Sequence, residues 1–151
     1  MHAFDAPPAA LGYRPMDLIH EEFETLVAQA LHCDDDRMPV AIAALCGHLQ
    51  SHFAEEDRWM EETGFPARDC HMAEHAAVLA SASEVFARVQ AGRHALGRSF
   101  AQALADWFPP HADYLDSALA HWMCKRATGG KPVVFHPRSR PARSDADALT
   151  T

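Results

Sequence analysis

His20, His52, His71, His75 and His111, together with Glu56, fall at positions that a helical hydrophobic period reserves for leucine or isoleucine. A lone imidazole or carboxylate in a core loses several kcal/mol of solvation, so six such groups need a common reason. Their spacing supplies one. His52 and Glu56, and His71 and His75, are four residues apart, which on a helix sets each pair on one face with Cβ atoms ~5–6 Å apart, ready to ligate one ion or two adjacent ions. Imidazoles with carboxylates suit iron, zinc or manganese; a thiolate-free set disfavours an iron–sulfur cluster, and calcium would call for oxygens alone. Five imidazoles exceed what a single tetrahedral ion uses, whereas two ions bridged by carboxylates use them all. Asp116 is the candidate second bridge. It follows His111 by five residues and is turned ~140° from it on a regular helix, so it reaches the neighbouring ion or sits on a widened turn.

Four helical stretches carry these residues. Pro15 opens the first, which runs to about Leu31 and ends at Cys33-Asp-Asp-Asp36; Pro39 opens the second, which runs to Thr63 before Gly64-Phe65-Pro66. The third spans about Ala67 to Gln90, and the fourth about Ala95 to Ala127, between Gly92 and Gly129-Gly130. Their inward stripes read Met16, His20, Phe23, Val27, Ala30; Ile42, Leu45, Leu49, His52, Glu56, Trp59; His71, His75, Val78, Ala82, Val85, Val89; and Phe100, Leu104, Trp107, His111, Leu115, Ala118, Trp122. Short connections between four such stretches predict an all-α fold, an up-down-up-down antiparallel four-helix bundle over residues 15–127. Residues 1–14 form an N-terminal arm and 128–151 an irregular tail, in which Val133 to Phe135 is the one short strand candidate.

Antiparallel helices meet at equal distances from their shared turn. Glu56 lies nine residues before Phe65 and His75 ten after it; His75 lies 18 before Arg93 and His111 18 after it. His20 lies about 14 residues before the Asp34–Asp36 turn and His52 about 17 after it. At ~1.5 Å per residue these offsets agree within about one helical turn, so all four helices deliver their polar residues to one cross-section.

Length and composition narrow the partners. A chain of 151 residues makes one domain. The formal charge of −8 repels phosphate backbones, which argues against nucleic acid as a partner. The charge is uneven: Met1 to Cys124 holds 7 basic against 19 acidic residues, and Lys125 to Thr151 holds 6 against 2, so a basic tail with Arg138, Arg140 and Arg143 could touch a protein partner. No apolar run approaches the ~18 residues of a membrane span, and the first residues lack the pattern of a secretory leader, so a membrane partner is not expected. Cys33, Cys46, Cys70 and Cys124 include no C-x-x-C pair, which fits reduced thiols in the cytoplasm.

The segments H52-F-A-E-E56, H71-M-A-E-H75 and D106-W-F-P-P-H-A-D-Y-L-D116, preceded by M16-D-L-I-H20-E-E-F23, resemble the hemerythrin family, particularly its single-domain bacterial members of the HHE cation-binding type, from about Met16 to Met123. The resemblance implies two non-haem iron ions with a bridging oxo or hydroxo group. By that likeness His71, His75 and His111 hold one ion, His20 and His52 the other, and Glu56 and Asp116 bridge. It also implies reversible binding of dioxygen at the His20/His52 iron, as an oxygen-binding metalloprotein rather than an enzyme. Phe23, Phe53, Trp107 and Ala112 then line the ligand pocket. Three features depart from the family pattern. Pro109-Pro110 removes two backbone donors just before His111 and should kink or restart the fourth helix. Ala112 replaces a bulkier aliphatic residue, which implies a larger or wetter cavity. The stretch from His75 to His111 is also longer than usual.

Other readings compete. Hydrogen-bonded core histidines would explain each imidazole singly, but not five at one level with two acids. His71-Met-Ala-Glu74-His75 matches the H-x-x-E-H arrangement of zinc hydrolases, in which Glu74 would activate water; it leaves the other five groups unexplained. Handling of peroxide or nitric oxide, or redox or oxygen sensing, are the alternatives within the di-iron class. His48, four residues before His52, reads as an ordinarily solvated flank, Glu24 as an outer-rim acid, and Cys70 as a packing residue.

Overall fold

The computed structural model describes residues 10–127. Among them the chain is all-helical, a four-helix bundle built from α1 (Arg14–His32), α2 (Met38–Thr63), α3 (Arg68–Gln90) and a fourth rod. That rod comprises α4 (His94–His111), a π turn (Ala112–Asp116) and α5 (Ser117–Ala127). Each of the four rods packs on the next around the ring, and the last closes against α1. The expected strand at Val133 to Phe135 lies outside the described residues.

Local chemistry accounts for the ends. Pro15 sits in the first turn of α1, where a missing N–H costs nothing. Asp17 reaches back to accept the backbone N–H of Leu11 at 2.8 Å and of Gly12 at 3.2 Å, pinning the approaching chain. Gly64 closes α2 in the left-handed region, with φ 65° and ψ 38°, which a glycine adopts without the Cβ penalty. The turn between α1 and α2 contains a short 3₁₀ segment, Asp35–Arg37, held to α4 by Arg98, which donates to Cys33 O at 3.1 Å and Asp35 Oδ1 at 3.0 Å. Gly97 lets α4 close on α2: a Cβ there would meet Met38 Sδ at 2.8 Å and Ile42 Cγ1 at 2.9 Å.

Two apolar clusters fill the interior. The larger includes Phe23, Val27, Ile42, Leu45, Leu49, Phe53, Phe100, Leu104 and Phe108. The smaller joins Met16, Trp59, Met60, Phe65, Leu119 and Ala120. Along α1, α2 and the fourth rod the polar stripe positions fall between residues of these clusters, so one charged layer is sandwiched between two dry ones. All five stripe residues of α1 and all six of α2 are buried, as the period requires.

The fourth rod departs from the stripe. Its helix runs through Pro109 and Pro110 without restarting, and the irregularity falls just after them. The N–H of Ser117 bonds Ala112 O, five residues back, in place of the usual four. One extra residue in the turn advances the phase by ~100°. The expected inward residues Leu115 and Ala118 therefore give way to Asp116 and Leu119, with Ala118 exposed, while Trp122 stays half-buried against the smaller cluster. Two of the widened turn's residues are harmlessly outside, Tyr114 among them at 79% exposure.

Inserting one alanine after Tyr114 adds a residue beyond the one that the widened turn absorbs and rotates Asp116 and Leu119 by ~100° out of the interior. Urea unfolding followed by circular dichroism should show helicity retained and stability lowered by ~2–5 kcal/mol, the range for losing a buried leucine. A change under about 0.5 kcal/mol, the size of a neutral surface substitution, would contradict this phase argument.

Candidate metal centre

The seven polar residues singled out from the sequence all meet inside the bundle, and all seven are buried. Glu56, His71, His75, His111 and Asp116 each offer one ligand atom within 4.8 Å of the others, and His20, His52 and Glu56 form a second such group. Glu56 belongs to both. Asp116 also faces both, with Oδ1 2.9 Å from His71 Nε2 and Oδ2 3.0 Å from His20 Nε2. The alternatives for Asp116 thus resolve to the widened turn: the π turn carries its carboxylate into the layer between the two groups.

The geometry is that of donors around cations rather than of hydrogen bonds. Nε2 of His20, His71, His75 and His111, Oε1 of Glu56 and both oxygens of Asp116 are buried without a hydrogen-bond partner. Yet they stand close: His71 and His75 Nε2 each lie 3.4 Å from Glu56 Oε1, and His111 Nε2 lies 3.2 Å from Asp116 Oδ1. Two ligands at right angles on an ion with bonds of ~2.1 Å lie ~3 Å apart, and at the tetrahedral angle ~3.4 Å. The spacing therefore fits a metal. His52 is the one directly bonded member, its Nε2 2.7 Å from Glu56 Oε2.

Outer carboxylates fix which nitrogen looks inward. Nδ1–H of His75 donates to Asp57 Oδ1 at 2.8 Å, and Nδ1–H of His111 donates to Glu74 Oε1 at 3.0 Å. Each bond leaves the Nε2 lone pair facing a carboxylate of the layer, acceptor against acceptor, an arrangement that a cation between them makes favourable. Asp57 and Glu74 escaped the sequence reading. Their signal is adjacency, since Asp57 follows Glu56 and Glu74 precedes His75, but whether such a neighbour reaches another helix depends on packing.

Aromatic rings wall the layer on its larger-cluster side. Phe53 stacks on His75, with centroids 4.1 Å apart, and Phe23 lies 6.0 Å from His52. Trp107 stacks on His111 at 4.2 Å, so the two prolines between them leave the four-residue relation intact. Ala112 is half-buried against the larger cluster. Phe108, not singled out beforehand, packs 4.9 Å from His20 and 4.6 Å from Phe23. Glu24 is half-buried on the rim, as expected. Two readings need correction. Cys70 is exposed rather than packed, because its direction from His71 points it to solvent. The side chain of His48 is only 6% exposed, covered between Glu22, Phe23 and His52.

Electrostatics follow from two anions in a dry layer. Burial would raise the carboxyl of Glu56, but the imidazoles of His20, His52, His71 and His75 hold it well below the usual carboxylate range. For Asp116, burial and the Glu56 charge push upward, and His111, His20 and His71 outweigh them, so its carboxyl also lies low. Burial pulls His20 and His71 down, yet Asp116 and Glu56 raise both to about 9. In the metal-free protein two imidazolium protons thus balance two carboxylates.

A buried layer of five imidazoles and two carboxylates, shared by all four rods, defines a cation-binding helical bundle. The chain belongs to the hemerythrin family: residues 11–122 match the hemerythrin HHE cation binding domain. It is 37% identical over 116 residues to a bacteriohemerythrin from Ralstonia nicotianae (strain ATCC BAA-1114 / GMI1000), covering 77% of this chain and 85% of that one. No solved structure matches the chain significantly.

The charge balance sets a pH dependence. Folded-state values of about 9 for His20 and His71 exceed the ordinary 6.5, so their stabilisation is complete below pH 6.5 and lost as pH rises through about 9. Glu56 and Asp116 act oppositely, their contribution being lost in acid. The metal-free protein should therefore melt at a lower temperature at pH 9 than at pH 6.5. At neutral pH, calorimetric titration with Zn(II) in buffers of different ionisation enthalpy should register proton release on binding. An unchanged midpoint together with no proton release would contradict this balance.

Proposed function

We propose that this protein holds a pair of non-haem iron ions with a solvent-derived bridge and binds dioxygen reversibly, for storage, delivery or sensing. His71, His75 and His111 would hold one ion and His20 and His52 the other, with Glu56 and Asp116 shared between them. The working unit is the bundle of residues 15–127, with residues 1–14 and 128–151 as arm and tail. The observation that carries this reading is the unequal share of imidazoles on the two sides of the shared carboxylates. Bound there, an iron pair would supply the two electrons that dioxygen binding needs, and the His20/His52 side is the one with fewer imidazoles to offer.

The residues of the chain do the rest. Asp57 and Glu74 keep His75 and His111 in the tautomer that presents Nε2. Phe23, Phe53, Phe108 and Trp107 exclude water and hence the protons that would turn reversible binding into irreversible oxidation. The family resemblance supports dioxygen as the ligand. Glu74 is engaged by the His111 ring at 3.0 Å, which speaks against its freedom to activate water in a zinc hydrolase. Among the described residues no helix is long and apolar enough to cross a membrane; Cys33, Cys46, Cys70 and Cys124 are all free, which supports a place in the reducing cytoplasm.

Protein loaded anaerobically with Fe(II) should contain a pair of irons per chain. Admitting air should produce a visible absorption band that fades when oxygen is removed. Fully loaded protein with no such band would overturn the carrier reading. Rapid lasting oxidation with repeated consumption of added peroxide would replace it with redox catalysis.

A further inference from the structure

The seven candidate ligands are almost entirely shut off from water, with Glu56, His71, His75 and Asp116 fully buried. Any ion they hold must cross the bundle wall. A cleft of about 490 Å³ opens between α1 and α2, and its lining includes Glu22, Gly47, His48, His52 and Glu55. A second cleft, of about 310 Å³ between α3 and α4, is lined by Glu74, Phe100 and Trp107 but by none of the seven. The first therefore reaches the centre directly, at His52.

Its donors form a graded series. Glu22 stands at the mouth with its side chain 66% exposed, 3.6 Å from Nδ1 of His48. His48 lies deeper, and its Nε2 is buried without a hydrogen-bond partner. The His48 and His52 rings are 5.2 Å apart, and His52 Nε2 is 2.7 Å from Glu56 Oε2. Residues 48, 52 and 56 thus repeat a donor at each turn of α2, about one pitch of ~5.4 Å apart, from the cleft to the shared carboxylate. A spare imidazole in that line has no part in the two ligand groups. Gly47 keeps the passage wide, since a Cβ there would meet nothing within 4 Å. The cleft's charged lining is acidic, although Glu55 is paired with Arg58. Negative walls concentrate cations and leave a neutral diatomic indifferent.

We propose that the α1/α2 cleft is the port through which a divalent cation enters the buried centre, with Glu22 and His48 as its transient ligands. This inference rests on the metal-centre reading above. Stepwise exchange of water for Glu22, His48 and then His52 spares the ion from shedding its whole hydration shell at once.

Co(II), followed by its visible absorption, tests the port in stopped-flow mixing with metal-free full-length protein and in removal by EDTA. A port residue changes entry and exit by the same factor and leaves the equilibrium untouched. His48→Leu, and independently Gly47→Phe, which puts a ring into the cleft while every donor residue is kept, should slow uptake and release alike by ~10-fold or more, within the span electrostatically focused sites achieve. Final stoichiometry, affinity and spectrum should match the parent. Glu22→Gln should weaken the dependence of uptake on salt. Unchanged rates in both His48→Leu and Gly47→Phe would overturn the port, as would an altered affinity with unchanged uptake, which marks a static role for His48. Either result leaves the centre intact provided the parent protein binds a pair of Co(II) per chain; a parent that binds none removes the metal-centre reading itself.

Discussion

Two carboxylates, Glu56 and Asp116, lie fully buried at one level of a helical bundle, and the surrounding structure answers their charge. An unpaired buried anion is among the most costly defects a small domain can carry. Each of the four rods contributes imidazole to this layer, and the dry clusters above and below it keep solvent from sharing the load. The same low dielectric that makes the anions costly makes them strong ligands. Protons on His20 and His71 and cations in the centre are alternative answers to one charge, which is why metal binding and proton binding compete there.

Much of this was legible from periodicity. The stripes of α1 and α2 were readable in full because both helices are regular and their turns are punctuated by Pro15, Pro39 and Gly64. Counting residues from shared turns put the polar positions at one level, and the structure brings them within ligand distance of one another. Past His111 the helical period is not constant. A stripe drawn at Leu115 and Ala118 carries no sign that one extra residue enters the turn. The prolines were visible, but their consequence was displaced: the helix continued through them and widened directly afterwards, where Asp116 is needed.

What stayed hidden depends on contacts between helices. Asp57 and Glu74 look like surface acids in a one-dimensional pattern, since each neighbours a stripe position without occupying one. They matter because α2 lies beside α3, and α3 beside α4, close enough for Nδ1 of His75 and His111 to reach across. The cover over His48 is hidden for the same reason. Its four-residue offset from His52 was evident, but Phe23 and Glu22 on α1 are what cover it.

The asymmetry of the layer follows from how the rods share the work. α3 carries two imidazoles on successive turns and the fourth rod adds His111, so three rings gather on that side of the carboxylates. On the other side α1 and α2 give one ring each, because α2 uses its next inward turn for Glu56 itself. A helix presents one inward group per turn, so a residue that bridges is a residue that does not ligate one side alone. The smaller number of rings at His20 and His52 therefore follows from placing the shared Glu56 on α2, and the aromatic rings of Phe23 and Phe108 occupy the adjoining level in place of another donor. The smaller share of donors and the apolar wall arise together, from one helix using a single turn for the carboxylate that both halves of the layer share.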